Sequence, residues 1–319
     1  MRIYLTGASG FVGSNLAHVF AHEHGAEVVA PGHEHVELTD ELVVRRSVLA
    51  TRPDAIVHAA IWNEPAELRT DRRRAWDTYV GATRNVVAAA NAVDAQIVLV
   101  STDWVFDNDG GPPNTPARAG GGASESEPPN PINAYGFLKA CSELVVGESA
   151  ARGTIARIAG VQGVHRARPD TPRAQDAGFG YLVASLVQAL RAGERFTLWD
   201  GAGLNQVATP TLATDAAELI WRALDREITG VLHCCGGEHA DRVTLARRAI
   251  EVFELDGELL DLSAPPASIV AGEPIPRDTR LEASGTARAL GVELPDLTDM
   301  LGRLRTQIEA SPGVAPCRA

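Results

Sequence analysis

Lysine is almost missing from this chain: 28 of its 29 basic residues are arginine, and Lys139 is the only lysine among 319 residues. Arg and Lys exchange freely on solvated surfaces, so a bias toward arginine costs little there. They do not exchange where chemistry needs a compact ammonium on a flexible stem, which makes Lys139 a candidate for such a position. Basic excess is missing too. Against 41 acidic residues the net charge is −12, which argues against a nucleic-acid or anionic-membrane surface while leaving room for a local basic pocket that binds phosphate. No apolar run approaches the ~18–20 residues that span a bilayer. The start, Arg2-Ile3-Tyr4-Leu5-Thr6-Gly7, reads as a strand entering a turn rather than as a signal peptide. Cys141, Cys234, Cys235 and Cys317 show neither CxxC spacing nor a disulfide framework. The nine histidines form no ligand spacing with them, so no metal is expected. The expectation is a reduced, cytoplasmic protein.

With 45% hydrophobic and 22% charged residues, the composition is that of a globule able to bury a sizeable core. Strand signals at 2–6, 26–30, 55–60 and 96–101 alternate with helix signals at 11–24, 40–51 and 72–92. Short apolar runs separated by amphipathic stretches predict βαβ units around a parallel sheet buried on both faces, with ligands at the carboxyl ends of the strands. The predicted class is therefore α/β, a doubly wound parallel (Rossmann) sheet with a smaller mixed α/β C-terminal substrate domain. A Gly/Pro-rich connection at 107–134 interrupts the rhythm and reads as a lid, binding loop or disordered insertion. A helix from about 133 to 149, a strand at 154–159 and a polar Arg-rich loop at 164–177 follow. Helices are predicted at 181–192, 212–225, 242–253 and 296–309, with a frayed tail at 311–319.

The turn Gly7-Ala8-Ser9-Gly10-Phe11-Val12-Gly13 follows a strand and opens a helix. Glycines there permit a tight turn and close backbone approach, so amides at the helix start can hold a pyrophosphate. The blander reading is punctuation between two elements, and the spacing is GxxGxxG rather than GxGxxG. At the end of the second strand an acid would bind ribose hydroxyls, but Val28-Val29-Ala30 runs into Pro31-Gly32-His33-Glu34 with neither an acid nor an arginine directly after it. His33 meets a 2′-phosphate or is simply exposed, and on that basis NADP(H) is preferred to NAD(H). Asp40 makes an adenine-edge contact or serves as a helix N-cap that needs no ligand.

Tyr135 and Lys139 stand at i and i+4, on one helical face. A phenol is protonated at neutral pH, and a nearby fixed cation lowers its pKa toward the range of a working acid or base. Thr102, in Ser101-Thr102-Asp103 at the end of the strand at 96–101, offers a third group where a doubly wound sheet places its chemistry. The bland alternative is a surface tyrosine over an aliphatic stem.

Those segments, with Arg52-Pro53-Asp54-Ala55-Ile56-Val57-His58-Ala59-Ala60, Ser101-Thr102-Asp103-Trp104-Val105-Phe106-Asp107 and Pro131-Ile132-Asn133-Ala134-Tyr135-Gly136, resemble the extended short-chain dehydrogenase/reductase superfamily. Within it they are most similar to the dTDP-4-dehydrorhamnose reductase group. The resemblance spans roughly residues 1–225 and thins toward the C-terminus. It implies that Thr102, Tyr135 and Lys139 form the catalytic set, Tyr135 and Lys139 also facing the cofactor. It implies that Gly7, Ser9, Gly10, Phe11, Val12 and Gly13 hold the pyrophosphate, while Ala59, Ala60 and Ile61 line the adenosine and ribose side. The substrate is implied to be a nucleotide-linked 4-keto-6-deoxy sugar whose ketone is reduced. Residues 1–160 plus about 205–235 would form the NAD(P) domain, and about 161–204 plus 236–319 the substrate domain. A homodimer is implied by resemblance alone.

Several positions depart from the group. Trp104 stands where it has tyrosine beside the substrate, Trp62 lies in the matching substrate-side loop, Tyr79 replaces an asparagine, and Leu138 replaces a small hydroxyl residue. Asp103 is a further substrate candidate. Arg166, Arg168, Arg173, Arg277 and Arg280 are available for a diphosphate, and Phe179 and Trp199 for stacking on a base, with surface and core as their blander roles. Two other readings stay open: a nucleotide-sugar epimerase with tightly held NAD, and a non-catalytic regulatory subunit that retains the dinucleotide fold. A 4,6-dehydratase is disfavoured, because Trp104 replaces the carboxylate that chemistry needs.

Overall fold

Along each early strand successive apolar side chains point to opposite faces, and this two-residue period assembles the molecule. The computed structural model describes residues 1–62, 65–109, 121–169 and 174–310. Its main sheet comprises β1 (Arg2–Thr6), β2 (Glu27–Val29), β3 (Ala55–His58), β4 (Gln96–Thr102), β5 (Gly153–Ile158) and β6 (Gly230–His233). The spatial order is β6-β5-β4-β3-β1-β2, and every pairing is parallel. On one face Ile3, Leu5, Val57, Val98 and Val100 pack with α1 (Phe11–His18), its continuation Val19–Glu23, and the later helix Ala213–Asp225. On the other face Tyr4, Ile56, Ile97 and Leu99 pack with α2 (Glu41–Thr51), α3 (Ala82–Ala92) and α4 (Ala134–Ser149). Burial on both faces explains why these strands read as continuous apolar runs rather than alternating ones.

A second core lies in the C-terminal half. Leu182 and Leu186 of α5 (Leu182–Arg191) meet Leu245 and Ala249 of α7 (Arg242–Phe253) and Leu301 and Leu304 of α8 (Leu297–Ala310), the helix Ala213–Asp225 being α6. Phe196–Trp199 pairs in parallel with Leu260–Ser263 beside it. None of the described helices is long and apolar enough to cross a membrane.

The sheet order reverses between β1 and β3, so the crevice of this doubly wound sheet opens at their carboxyl ends, where Gly7 and Ala59 lie. Elements that sequence patterning did not supply are short: β6, the four-residue strands of the second core and the helix Ser284–Leu290. Of the long 107–134 connection, residues 110–120 lie outside the described residues, as does the 311–319 tail. The part after it is anchored by a bridge from Ala123 to Leu281.

Candidate active site

Thr102 ends β4 in an extended conformation, and its hydroxyl accepts from the Trp104 amide at 3.2 Å, capping a short turn over Asp103–Val105. The start of α4 is fixed from two directions. Asn133 Oδ1 accepts from the Gly136 amide at 2.8 Å, and its Nδ2 donates to the Pro274 carbonyl at 3.1 Å. A Glu273 carboxylate oxygen accepts from the Ala134 amide at 2.7 Å, where the helix dipole favours negative charge. Gly136 lets this first turn close on β4, because a Cβ there would stand 2.2 Å from the Trp104 carbonyl oxygen. As a result the Tyr135 phenol comes to lie beside the Thr102 hydroxyl. Its ring lies edge-on to Tyr79 (6.2 Å, 82°) and Trp104 (6.0 Å, 76°).

Lys139 lies one turn along α4, 4% exposed, its Nζ donating to the Val100 carbonyl at 2.8 Å and lying 5.9 Å from the Tyr79 ring centre. Burial pulls its pKa down to about 8, against the opposing pull of Glu143. The expected drop in the phenol's pKa does not occur. Burial pushes Tyr135 up to about 12, with the nearby Thr102 hydroxyl opposing the rise and the Asp103 charge adding to it. The ammonium is directed to a backbone carbonyl, and desolvation is the largest influence on the phenol. Behind Lys139, Glu143 accepts from Ser101 Oγ (2.5 Å) and from Arg157 Nη2 (2.7 Å), and Arg157 Nη1 lies 3.3 Å from His233 Nε2. Glu143 and His233 were not singled out from the sequence, although Glu143 stands four residues after Lys139.

The glycine turn is closed by tight backbone contacts. Gly7 adopts φ +77°, and a Cβ on it would stand 2.6 Å from the Ala60 nitrogen; one on Gly13 would stand 2.0 Å from the Gly7 carbonyl oxygen. The turn is thus packed against itself and against Ala59-Ala60, with Ser9 and Gly10 exposed at its tip and Phe11 and Val12 half-buried. No side chain caps the start of α1 at Gly10. The Thr6 hydroxyl bonds His58 Nδ1 (2.8 Å) and accepts from the Ala60 amide (3.3 Å), tying the ends of β1 and β3 together. Burial, assisted by the charge of Lys139, holds His58 down at about 3 and therefore neutral. Ile61, 42% exposed, continues the rim. His33 is exposed with its Nδ1 3.5 Å from a Glu34 carboxylate oxygen. Asp40 caps α2, one oxygen accepting from the Leu42 and Val43 amides at 2.9 and 3.1 Å.

Of the substrate candidates, Trp62 and Trp104 belong to the aromatic group around Tyr135. Tyr79 Oη donates to the Trp62 carbonyl at 3.0 Å, and the Arg74 guanidinium lies 4.3 Å above the Trp62 ring. Three of the candidates have partners or burial of their own. Asp103 is buried, with its two oxygens accepting from Thr102 (3.0 Å) and Thr279 (2.6 Å), so it is not available to a substrate. Phe179 is 2% exposed within the second core, the blander of its two roles. Arg166 donates to Asn15 Oδ1 at 3.2 Å on the flank of α1 and feels the charge of Glu23. Arg280 is committed to Asp278 at 2.6 Å and Arg277 to Asp109 at 3.2 Å; Arg173 lies outside the described residues. Thr279 and Asn205, which complete the surroundings of Asp103, carry no sequence signal that marks them. Among the described residues no group of His, Cys, Asp and Glu could hold a metal ion.

Comparison with known proteins places this geometry. A family model described as the RmlD substrate binding domain matches residues 1–309. The chain is 26% identical over 295 residues to "Methionine adenosyltransferase 2 subunit beta" of Bos taurus, covering 89% of this chain and 80% of that protein. It is 28% identical over 282 residues to "dTDP-4-keto-6-deoxy-D-glucose reductase" of Streptomyces niveus, covering 88% of each. Among solved structures, dTDP-4-dehydrorhamnose reductase from Bacillus anthracis, in complex with NADP, shares the fold with a TM-score of 0.77 at 20% identity, covering 95% of this chain and 96% of that one.

Proposed function

The chain belongs to the family of the RmlD substrate binding domain, and from that premise we propose that it is an NAD(P)H-dependent reductase of a nucleotide-linked 4-keto-6-deoxy sugar. The observation that carries this reading is Tyr135 lying beside Thr102 at the carboxyl end of β4, with Lys139 one turn along α4, in the same site region as the glycine cradle. Gly7, Ser9, Gly10, Phe11, Val12 and Gly13 would hold the pyrophosphate, and Ala59, Ala60 and Ile61 the adenosine side. When bound, a reduced nicotinamide supplies the hydride that the ketone carbon accepts. Tyr135 supplies the proton to the carbonyl oxygen as charge develops there, and its raised pKa keeps it loaded as an acid at neutral pH. Thr102 steadies the same oxygen, and Lys139 holds ribose hydroxyls with the one lysine ammonium in the protein. Trp62, Tyr79 and Trp104 form an apolar wall suited to the deoxygenated edge of such a sugar. The carboxylate of Glu34 lies 3.5 Å from His33 and opposes a 2′-phosphate there, so both dinucleotides belong in the assay.

The similarity to a methionine adenosyltransferase subunit over 89% of the chain favours a second reading, a dinucleotide-binding regulatory subunit. That reading expects a stable complex with an unrelated enzyme and no turnover. The deciding measurement is loss of reduced-nicotinamide absorbance with NADPH and with NADH in the presence of dTDP-4-keto-6-deoxyglucose. Turnover in the wild type that falls at least ~100-fold in Tyr135→Phe, with dinucleotide binding retained, is the expected result. Dinucleotide binding without turnover would reject this substrate, and a stable complex with an unrelated enzyme, again without turnover on other keto sugars, would favour the regulatory subunit.

A further inference from the structure

We propose that Tyr79 is a positioning residue that couples the two sides of the site: its hydroxyl fixes the substrate-side loop at Trp62, and its ring fixes Tyr135 and the Lys139 ammonium. The inference rests on the reductase reading above and deepens it. It assigns affinity for the sugar to the hydroxyl, and dinucleotide affinity and turnover to the ring.

A tyrosine buried this deeply needs a partner for its hydroxyl. Tyr79 is 4% exposed, and its partner is the Trp62 carbonyl at 3.0 Å. A phenol has one hydrogen, so this bond commits it, and Tyr79 donates nothing to a sugar. Trp62 follows Ala59-Ala60-Ile61 out of β3, the segment against which the glycine turn packs. On its outer side the Trp62 ring meets the exposed Arg74 guanidinium at 4.3 Å. The buried restraint on this loop is therefore the Tyr79 hydroxyl, which sets where the loop stands relative to Tyr135.

The ring acts on the catalytic side. Its centre lies 6.2 Å from that of Tyr135, with the planes at 82°, and 5.9 Å from Lys139 Nζ. An ammonium has three hydrogens, and Lys139 gives one to the Val100 carbonyl at 2.8 Å. A ring face attracts a cation without claiming a particular hydrogen as a carbonyl does. Tyr79 thus holds the ammonium in place and leaves hydrogens for the ribose hydroxyls.

Tyr79 is itself held. It sits in a five-residue π-helical turn, Asp77–Gly81, between the short helix Arg72–Trp76 and α3. Single π-turns inside helices are frequent at functional sites. Its carbonyl accepts from Thr83 Oγ1 at 2.7 Å. Leu68, Ala75, Val80 and Leu138 are buried in one cluster with it, and Trp62 and Tyr135 pack against that cluster. Three positions at which the sequence leaves the group's pattern, Trp62, Tyr79 and Leu138, therefore meet at one place beside the phenol. Leu138 supplies the apolar neighbour that a buried ring at 79 packs against.

The test compares wild type, Tyr79→Phe and Tyr79→Leu by dinucleotide titration and by steady-state reduction of dTDP-4-keto-6-deoxyglucose. Tyr79→Phe keeps the ring and removes the bond to Trp62. Its KM for the keto sugar should rise about 3–10-fold, with kcat and dinucleotide affinity within about twofold of wild type. Tyr79→Leu removes the ring as well. Besides the higher KM, it should bind dinucleotide about 3–10-fold more weakly and lose about tenfold in kcat. A merely structural role would instead move all these quantities together in both variants. Tyr79→Phe decides alone if Tyr79→Leu does not fold. A Tyr79→Phe enzyme identical to wild type overturns the proposal, as does one that loses kcat and dinucleotide affinity together with KM. Wild-type dinucleotide affinity in Tyr79→Leu also overturns it, and each of these results leaves the reductase intact. A wild type that binds dinucleotide but turns over no keto sugar removes the reductase reading. The titrations then decide, and equal dinucleotide affinities in wild type and Tyr79→Leu overturn the proposal there too.

Discussion

Lys139 shows how far a single residue can be held against its own solvation. The ammonium is buried between α4 and β4, stabilised by the Val100 carbonyl at 2.8 Å and by the face of Tyr79. Its folded pKa of about 8 lies below the value of 10.5 it would have in water. Protonation is therefore worse in the folded state. The penalty is fully present below about pH 8 and fades as pH rises from there to 10.5, where the unfolded chain binds the extra proton and stability climbs. Lys139→Met removes the buried charge, and Glu143 keeps its Arg157 partner at 2.7 Å. This variant is expected to be more stable than wild type by on the order of 2 kcal/mol at pH 7. The gain should shrink toward zero near pH 10.5, and reductase activity should be lost. Urea unfolding at both pH values checks the sign; a less stable Lys139→Met at pH 7 contradicts it. A residue that costs stability and is nevertheless retained is what a functional position produces.

At the scale of elements, the structure separates what local pattern carries from what only packing decides. β1, β3 and β4 and helices α1 to α4 follow from apolar runs and helical spacing, because each buries a face defined by its own residues. Thr102, Tyr135 and Lys139 are legible for the same reason: one lies at a strand end and two share a helical face. Thr279 and Asn205 reach Asp103 from 176 and 102 positions away in the sequence, and no period links such residues. Phe179 and Arg166 are hard to place from sequence because an aromatic ring or a guanidinium in a loop has no face of its own. Arg242 belongs to this silent class. Buried at the start of α7, it donates to the Trp199 carbonyl (2.9 Å), to Gln175 Oε1 (3.1 Å), to the Asp176 carbonyl (3.3 Å) and to the Gly178 carbonyl. It thereby ties α7 and the strand Phe196–Trp199 to the segment 175–178, whose Gly178 lies against the Trp104 ring. Arg242→Met leaves three backbone carbonyls without their donor and is expected to cost about 3 kcal/mol. If the segment supports the substrate wall, KM for the keto sugar rises several-fold while dinucleotide affinity stays the same. An unchanged KM would place 175–178 outside the substrate side.

For the whole molecule, the unusual fact is where its amines are. The net charge of −12 is balanced on the surface by arginine, in pairs such as Arg195–Asp261 at 2.6 Å and Arg305–Glu309 at 2.9 Å, exposed contacts that contribute little to stability. Acylating reagents do not modify guanidinium groups under mild conditions, because arginine stays protonated. The lysine side chain they would modify is 4% exposed inside the fold. Acylation near neutral pH should therefore place one group fewer on the folded chain than on the chain unfolded in urea, the difference mapping to Lys139 by mass spectrometry. The depressed pKa sharpens the test. At about pH 8 half of the buried Lys139 is already the nucleophilic free amine, whereas a solvated lysine is almost wholly protonated. Slow modification of the native protein then reports steric closure, since protonation would have predicted the opposite order. If Lys139 reacts faster in the native protein than in the unfolded chain, the cleft between β4 and α4 opens well below the global unfolding free energy. The dinucleotide should then slow the reaction in proportion to its occupancy, because the same opening would admit both.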